Sequence, residues 1–280
     1  MALVTGAGRG IGRAIALNLA AEGAHLSLAA RSAEELRKTA EEAQRHGVEC
    51  LTFPTDVSDL KQVHAWVSAT VARFGQINVL VNNAGMQGPI GPLVENDDEA
   101  WLRTFQVNVL GTYYCTKQIL PHMISRRRGK IINLSGGGAV SPRPNFSAYG
   151  ASKAAVVRFT ETLAEEMRAF NIQVNAVAPG AVNTRMLQEI LQAGVAAGGE
   201  LDAAHKRETE GGTPADCAAR LVTFLASEAS GLLTGKLISA PHDRWESWNA
   251  SQIEDLMSKP WLTMRRIDVH TLDPFVSRSE

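Results

Sequence analysis

The stretch Ala2-Leu3-Val4-Thr5-Gly6-Ala7-Gly8-Arg9-Gly10-Ile11-Gly12 decides the fold, because an apolar run passes straight into a glycine cluster that opens a helix. Ile11, Ile15 and Leu19 recur on one helical face before Gly23 stops the turn. Glycines let backbone amides approach an anionic group, and the positive end of the helix behind them completes an anion site. Working outward, residues 26–30, 79–82, 130–134, 173–178 and 236–240 repeat the short apolar run, with helical patterns between them. Ser32 with Glu35 is a capping-box signature for a helix that Gly47 closes. Parallel neighbours need crossover connections, so this alternation predicts an α/β fold, a doubly wound parallel sheet in three layers forming one domain over residues 1–240.

At 280 residues the chain is long enough to bury one large core. Its 28 basic and 29 acidic residues are mixed along the whole length, for a formal charge of -1, which argues against nucleic acid as a partner. The longest basic run, Arg126-Arg127-Arg128 with Lys130 beyond it, reads as a solvated helix end. Cys50, Cys115 and Cys217 are too few and too scattered for a disulfide framework or a metal pair, so a reducing, cytoplasmic setting is expected. The opening residues show no basic-then-apolar leader, and no apolar stretch reaches the length of a bilayer span, so neither secretion nor membrane insertion is expected.

Two stretches break the alternation. Residues 185–212 are small, polar and dotted with glycine, which predicts a mobile segment beside a site rather than a core element. Residues 241–280 form a C-terminal extension that carries Trp245, Trp248 and Trp261, and it is expected to pack on the body or on another subunit. For Trp245 and Trp248, roofing a substrate, joining subunits and burial behind the sheet all stay open. His242 and Asp243 lack metal-site spacing and read as loop residues.

The spacing TGxxxGxG from Thr5 to Gly12, followed by Asn82-Asn83-Ala84-Gly85, Tyr149-Gly150-Ala151-Ser152-Lys153 and Pro179-Gly180, resembles the short-chain dehydrogenases/reductases over residues 1–240. The resemblance implies a Rossmann-like sheet, metal-free hydride transfer between a nicotinamide dinucleotide and a carbonyl or alcohol carbon of a small molecule, and a homodimer or homotetramer. It assigns Gly6, Arg9, Gly10, Ile11 and Gly12 to the pyrophosphate turn, Asn83 and Gly85 to the adenosine ribose, and Pro179, Gly180 and Thr184 to the nicotinamide end. Asp56-Val57 matches an adenine-edge contact, although Asp56 before Ser58 equally fits the opening of the next helix. At the end of the second strand an acid would hold a ribose 2′-hydroxyl and an arginine a 2′-phosphate. Here Ala30 takes the acid's place, Arg31 follows, and Arg9 and Ser32 stand close by, so NADP(H) is expected over NAD(H). The competing reading of Arg31 is a solvated loop residue.

Tyr149 and Lys153 lie four apart on one helical face, and an ammonium held nearby favours the phenolate, bringing the phenol toward neutral pH for acid/base work. The resemblance gives Lys153 the nicotinamide ribose as well, and gives Asn108 a water that links the lysine to solvent. Asn108 has a second reading, the satisfaction of a buried backbone group. The sequence departs from the pattern at the substrate-orienting serine, whose place 13 residues before Tyr149 is taken by Gly136. Ser135 is one position early and serves only if the Ser135-Gly136-Gly137-Gly138 turn is bulged or rotated, since a one-residue offset on a strand reverses the face. Ser141, Ser147 or an amide of the Gly136-Gly137-Gly138 run are the alternatives. Two rival functions stay open: a nucleotide-binding sensor or scaffold with weak catalysis, and a nucleotide-sugar epimerase or dehydratase.

Overall fold

Residues 1–266 are described by the structure, a computed structural model. Strands β1 (Ala2–Thr5), β2 (Leu26–Ala30), β3 (Cys50–Pro54), β4 (Val79–Asn82), β5 (Gly129–Leu134), β6 (Ile172–Ala178) and β7 (Leu237–Ser239) form one parallel sheet. Their spatial order is β3-β2-β1-β4-β5-β6-β7, the doubly wound, Rossmann-like arrangement that the alternation implied. The helices in chain order are α1 (Gly10–Ala21), α2 (Ala33–Gln44), α3 (Leu60–Phe74), α4 (Asp98–Phe105), α5 (Gly111–Arg126), α6 (Ser147–Met167), α7 (Arg185–Ala193), α8 (Glu200–Glu210), α9 (Ala215–Ala226) and α10 (Ala250–Ser258).

Both faces of the central strands are covered, so their residues alternate between two cores rather than between core and water. Ala2 and Val4 of β1 and Val79 and Val81 of β4 pack with α1, α2 and α9, whereas Leu3 and Leu80 pack with α3, α5 and α6. Polar groups inside these layers are matched. Ser27 of β2 meets Thr70 at 2.7 Å and accepts the Trp66 indole N–H at 2.8 Å, which satisfies hydroxyls that burial would otherwise penalise.

Three regions differ from the sequence reading or extend it. Strand β3 was not anticipated: it lies at the sheet edge, is only half-buried and ends on Pro54, and an edge strand tolerates a proline that a central one would not. Residues 185–212, expected as a mobile segment, fold as α7, a short 3-10 turn at Gly194–Ala197 and α8. Thr184 caps α7, and Leu187, Ile190, Ala197 and Ala204 bury themselves against Phe146 and Tyr149, so the glycines punctuate helices instead of replacing them. The C-terminal extension packs on the body, as far as it is described. Trp245 is buried beside Phe224 of α9 and gives its indole N–H to the Ala240 carbonyl at 3.1 Å. Asn249 opens α10 with a reciprocal capping box, and Leu262 accepts the Leu237 amide at 2.7 Å, covering the outer edge of β7. Trp245 and Trp248 therefore pack with α9 and α10, and neither lines the main cleft. The part of the extension after residue 266 lies outside the described residues.

Candidate active site

In a sheet of this order, chain connections leave β1 and β4 toward opposite faces and open a crevice at their carboxyl ends. The turns after β1, β4, β5 and β6 meet there around a cleft of about 1820 Å³. That exceeds the roughly 300–1,000 Å³ of a single small-ligand pocket, so it has room for two molecules side by side. Every sequence-predicted site residue lines it except Asn108, which is buried behind it.

At one end the glycine turn is fixed by its neighbours. The Asn83 side-chain amide donates to Thr5 O at 2.9 Å and Gly6 O at 3.2 Å, while the Thr5 hydroxyl accepts the amides of Asn83 and Ala84 at 3.0 Å each. A Cβ on Gly12 would stand 2.2 Å from Gly6 O, so that position admits only glycine, and Gly6 and Gly10 hold φ of +64° and +53°. Helices α2, α3 and α4 are each capped by a side chain, but α1 is not, and its first amides are left for an anion in the cleft. Asn83 and Gly85 line the cleft, although the Asn83 amide is committed to the turn.

Around the outer rim, Arg31 is exposed and has no ion-pair partner among the described residues, while Arg9 pairs with Glu35 at 3.1 Å. The Ser32 hydroxyl is spent as the cap of α2, accepting the Glu35 amide at 3.2 Å, and Glu35 answers Arg9 instead of closing the capping box. Asp56 is not the cap of α3, a task done by Asp59. Burial alone would raise its carboxyl, yet hydrogen bonds from Ser58 and Arg103 outweigh that and hold it below the ordinary carboxylate range. Val57 lines the cleft beside it, and Pro179, Gly180 and Thr184 line the opposite wall, where the Thr184 methyl would stand 3.4 Å from a Cβ on Gly10.

At the other end sit Tyr149 and Lys153 on α6, exposed by only 7 % and 4 %. The Lys153 ammonium donates to Leu134 O at 2.8 Å and lies 5.7 Å from the Tyr149 ring centre. Asn108 occupies a π-helical turn, Gln106–Leu110, between α4 and α5. Its side chain accepts the Met86 amide at 2.9 Å and donates to Met86 O and to the Ser152 hydroxyl, also at 2.9 Å. The clamp satisfies both Met86 backbone groups and joins the β4 turn to α6.

The serine region resolves against a bulge. The Ser135 amide bonds Val177 O at 2.8 Å and continues the ladder with β6, and it is Gly136 that lies under the phenol, where a Cβ would be 2.3 Å from Tyr149 Oη. Ser135 Oγ is buried with no partner among the described residues. Of the alternatives, Ser147 is taken up by the Trp101 indole at 3.1 Å, while Ser141 and the glycine run line the cleft. The strand thus runs unbulged through Ser135.

The short chain dehydrogenase family pattern matches residues 1–194 of the chain. The chain belongs to the short-chain dehydrogenase family. It is 35% identical over 238 residues to the 3-oxoacyl-(acyl-carrier-protein) reductase of Thermotoga maritima, covering 84% of this chain and 94% of that one. It is 41% identical over 192 residues to a putative ketoacyl reductase of Streptomyces coelicolor, covering 68% and 73%. Among solved structures, actinorhodin polyketide ketoreductase with NADPH superposes with a TM-score of 0.79 at 34% identity, covering 85% of this chain and 94% of that one. NAD+-bound xylitol dehydrogenase does so at 0.80 and 30% identity, covering 85% and 96%.

In this short-chain dehydrogenase burial pushes the Tyr149 phenol up, and the Arg143 guanidinium opposes that rise. Burial also brings Lys153 down to about 8. Sequence reasoning missed Arg143, which pairs through two nitrogens with Glu200 of α8, and Gln87, which is buried in the cleft wall with its amide nitrogen unpartnered among the described residues. Gln87 directly follows Asn83-Ala84-Gly85-Met86, a position that could have marked it; Arg143 had no local signal. Among the described residues no helix is long and apolar enough to cross a membrane, and no three His, Cys, Asp or Glu side chains cluster as a metal site.

Proposed function

We propose that this short-chain dehydrogenase is an NADP(H)-dependent oxidoreductase that interconverts a carbonyl and an alcohol on a small molecule, with Tyr149 as the acid/base. The observation that supports it is the division of one cleft: a buried phenol and ammonium at one end, and at the other Arg31 after Ala30, with no ion-pair partner among the described residues. The residues fit a dinucleotide, since the glycine cradle admits no side chain at Gly12 and the first amides of α1 lack a protein cap. Gly6, Gly10, Ile11 and Gly12 would hold its pyrophosphate, Arg31 and Arg9 a 2′-phosphate, Asp56 and Val57 the adenine, Asn83 and Gly85 the adjoining ribose, and Pro179, Gly180 and Thr184 the carboxamide. When bound, the nicotinamide supplies or accepts the hydride.

Tyr149 Oη gives its proton to the carbonyl oxygen during reduction and removes it from the alcohol during oxidation. Lys153 spends one of its three N–H groups on Leu134 O and keeps the others for the ribose and the phenol. Asn108 fixes the Met86 backbone at the cleft floor and completes the path by which the proton is replenished. With Gly136 in the serine's place, Ser141, the glycine-run amides or the unpartnered Gln87 amide orient the substrate oxygen. Relatives named as ketoacyl reductases favour ketone reduction as the working direction. The free state of Cys50, Cys115 and Cys217 supports a cytoplasmic setting, and we take the domain as residues 1–240 with the 241–280 extension, in a homodimer or homotetramer.

A second reading, a nucleotide-binding sensor with weak catalysis, is favoured by the missing serine and the orphaned Ser135 hydroxyl. A panel of ketones and alcohols assayed with NADPH and NADH separates the readings. Net NADPH consumption is expected; binding without turnover indicates the sensor, and product formation without consumption an epimerase.

A further inference from the structure

The loop between β5 and α6 carries one cation, and it is lodged against the tyrosine. The Arg143 guanidinium carbon lies 3.9 Å from the Phe146 ring centre and 5.5 Å from that of Tyr149. Its side chain is only 13% exposed. Nε and Nη2 bond the two oxygens of Glu200, at 3.0 and 2.9 Å, a planar fork that fixes the guanidinium in orientation as well as place. The glycines around it make the approach possible, since a Cβ on Gly138 would press to 3.2 Å from Arg143 Cβ and 3.1 Å from Gly150 Cα. Glu200 opens α8, so the pair joins the loop under the phenol to the helical cover of the cleft.

We propose that Arg143 is a positioning residue for the reaction, which holds a buried positive charge beside Tyr149, and that Glu200 tempers that charge while tying α8 down over the cleft. The proposal rests on Tyr149 being the acid/base. A cation within roughly 4–6 Å of a buried ionisable group favours its anionic form, and it does so more strongly where water is excluded. The arrangement compensates for Gly136, which offers the phenol no hydroxyl partner. Other charges face the site from each packed element. Lys153 on α6 is bonded to Leu134 O, Arg185 and Glu189 on α7 pair with each other at 3.5 Å, and Arg207 on α8 acts on Glu200; the π-turn offers the neutral Asn108.

With only three tyrosines in the chain, Tyr113, Tyr114 and Tyr149, the phenolate absorbance of Tyr149 can be isolated by subtracting the Tyr149→Phe titration from that of the full-length protein. Arg143→Gln is expected to raise the Tyr149 midpoint by about one pH unit or more, Glu200→Gln to lower it, and Arg143→Lys to recover part of the first shift. The pH profile of kcat is expected to move with the same signs. Absent shifts, or shifts of one sign in Arg143→Gln and Glu200→Gln, overturn the proposal, and Glu200→Gln decides alone if Arg143→Gln does not fold. Opposite shifts in absorbance without matching shifts in kcat leave the coupling standing and reject Tyr149 as the acid instead.

Discussion

The two ends of the cleft are built on opposite terms. At the nucleotide end nearly every polar group that shapes the wall is already engaged: Asn83 and Thr5 brace the glycine turn, Ser32 caps α2, and Asp56 is held by Ser58 and Arg103. At the substrate end, Ser135 Oγ and Gln87 Nε2 lack partners among the described residues, and a phenol is raised by its own burial. Buried polar groups are almost always paired, so the open Gln87 amide in the cleft wall marks a place that a ligand can complete. Binding at the first end is thus a matter of backbone shape, and chemistry at the second a matter of electrostatics, so substitutions at the two ends are expected to separate affinity from turnover.

The largest such separation is expected from Tyr149→Phe. Turnover falls by about 10²–10⁴-fold with loss of the general acid, while NADPH affinity, read by nucleotide fluorescence, stays within a few-fold of the parent. A proportionate loss of both would erase the contrast. Gly12→Ala is the converse. Its Cβ meets Gly6 O, a backbone atom that cannot swing aside, and overpacking of this kind costs about 1–3 kcal/mol, so NADPH binding weakens by about 10–100-fold. Arg31→Ala sharpens the comparison within the nucleotide end, lowering NADPH affinity by about tenfold or more through loss of one charge-assisted contact, with NADH affinity unchanged. Equal effects on the two nucleotides would remove Arg31 from the 2′-phosphate.

Gly136→Ser probes the other end more gently. The Cβ contact there is with the tip of a tyrosine that can swing, so folding is retained, and the new hydroxyl is expected to raise kcat/KM about tenfold, less than the 10²–10³ of a preorganised donor. A fall in rate would show that the phenol needs its place over Gly136. The last effect is on stability rather than on binding or rate. Lys153 drops from 10.5 to about 8 on burial, so below pH 8 the folded chain bears the full cost of a desolvated ammonium that the unfolded chain does not. That cost is relieved as pH rises from 8 to 10.5, and the thermal midpoint of the parent relative to Lys153→Met is expected to improve across that window, measured without nucleotide.

What the sequence disclosed follows the same divide. Strands β1, β4, β5 and β6 are buried on both faces and read as apolar runs, and the glycine turn is local, so its spacing was legible. Strand β3 was not, because an edge position lets Thr52 and Pro54 interrupt the apolar run. The clustering of α7 and α8 on Phe146, and the pairing of Arg143 with Glu200, depend on contacts far apart in sequence that leave no periodic trace. Gly136 was visible as a departure, but which face of the strand met the phenol became plain only from the unbroken ladder through Ser135.

The most direct test is isotopic. NADPH carrying deuterium at both C4 positions is incubated with a ketone the protein reduces, and the alcohol is weighed by mass spectrometry. One deuterium on the carbinol carbon per NADPH consumed is the predicted result; alcohol without the label, or product formed while the nucleotide stays reduced, would contradict direct transfer in this cleft.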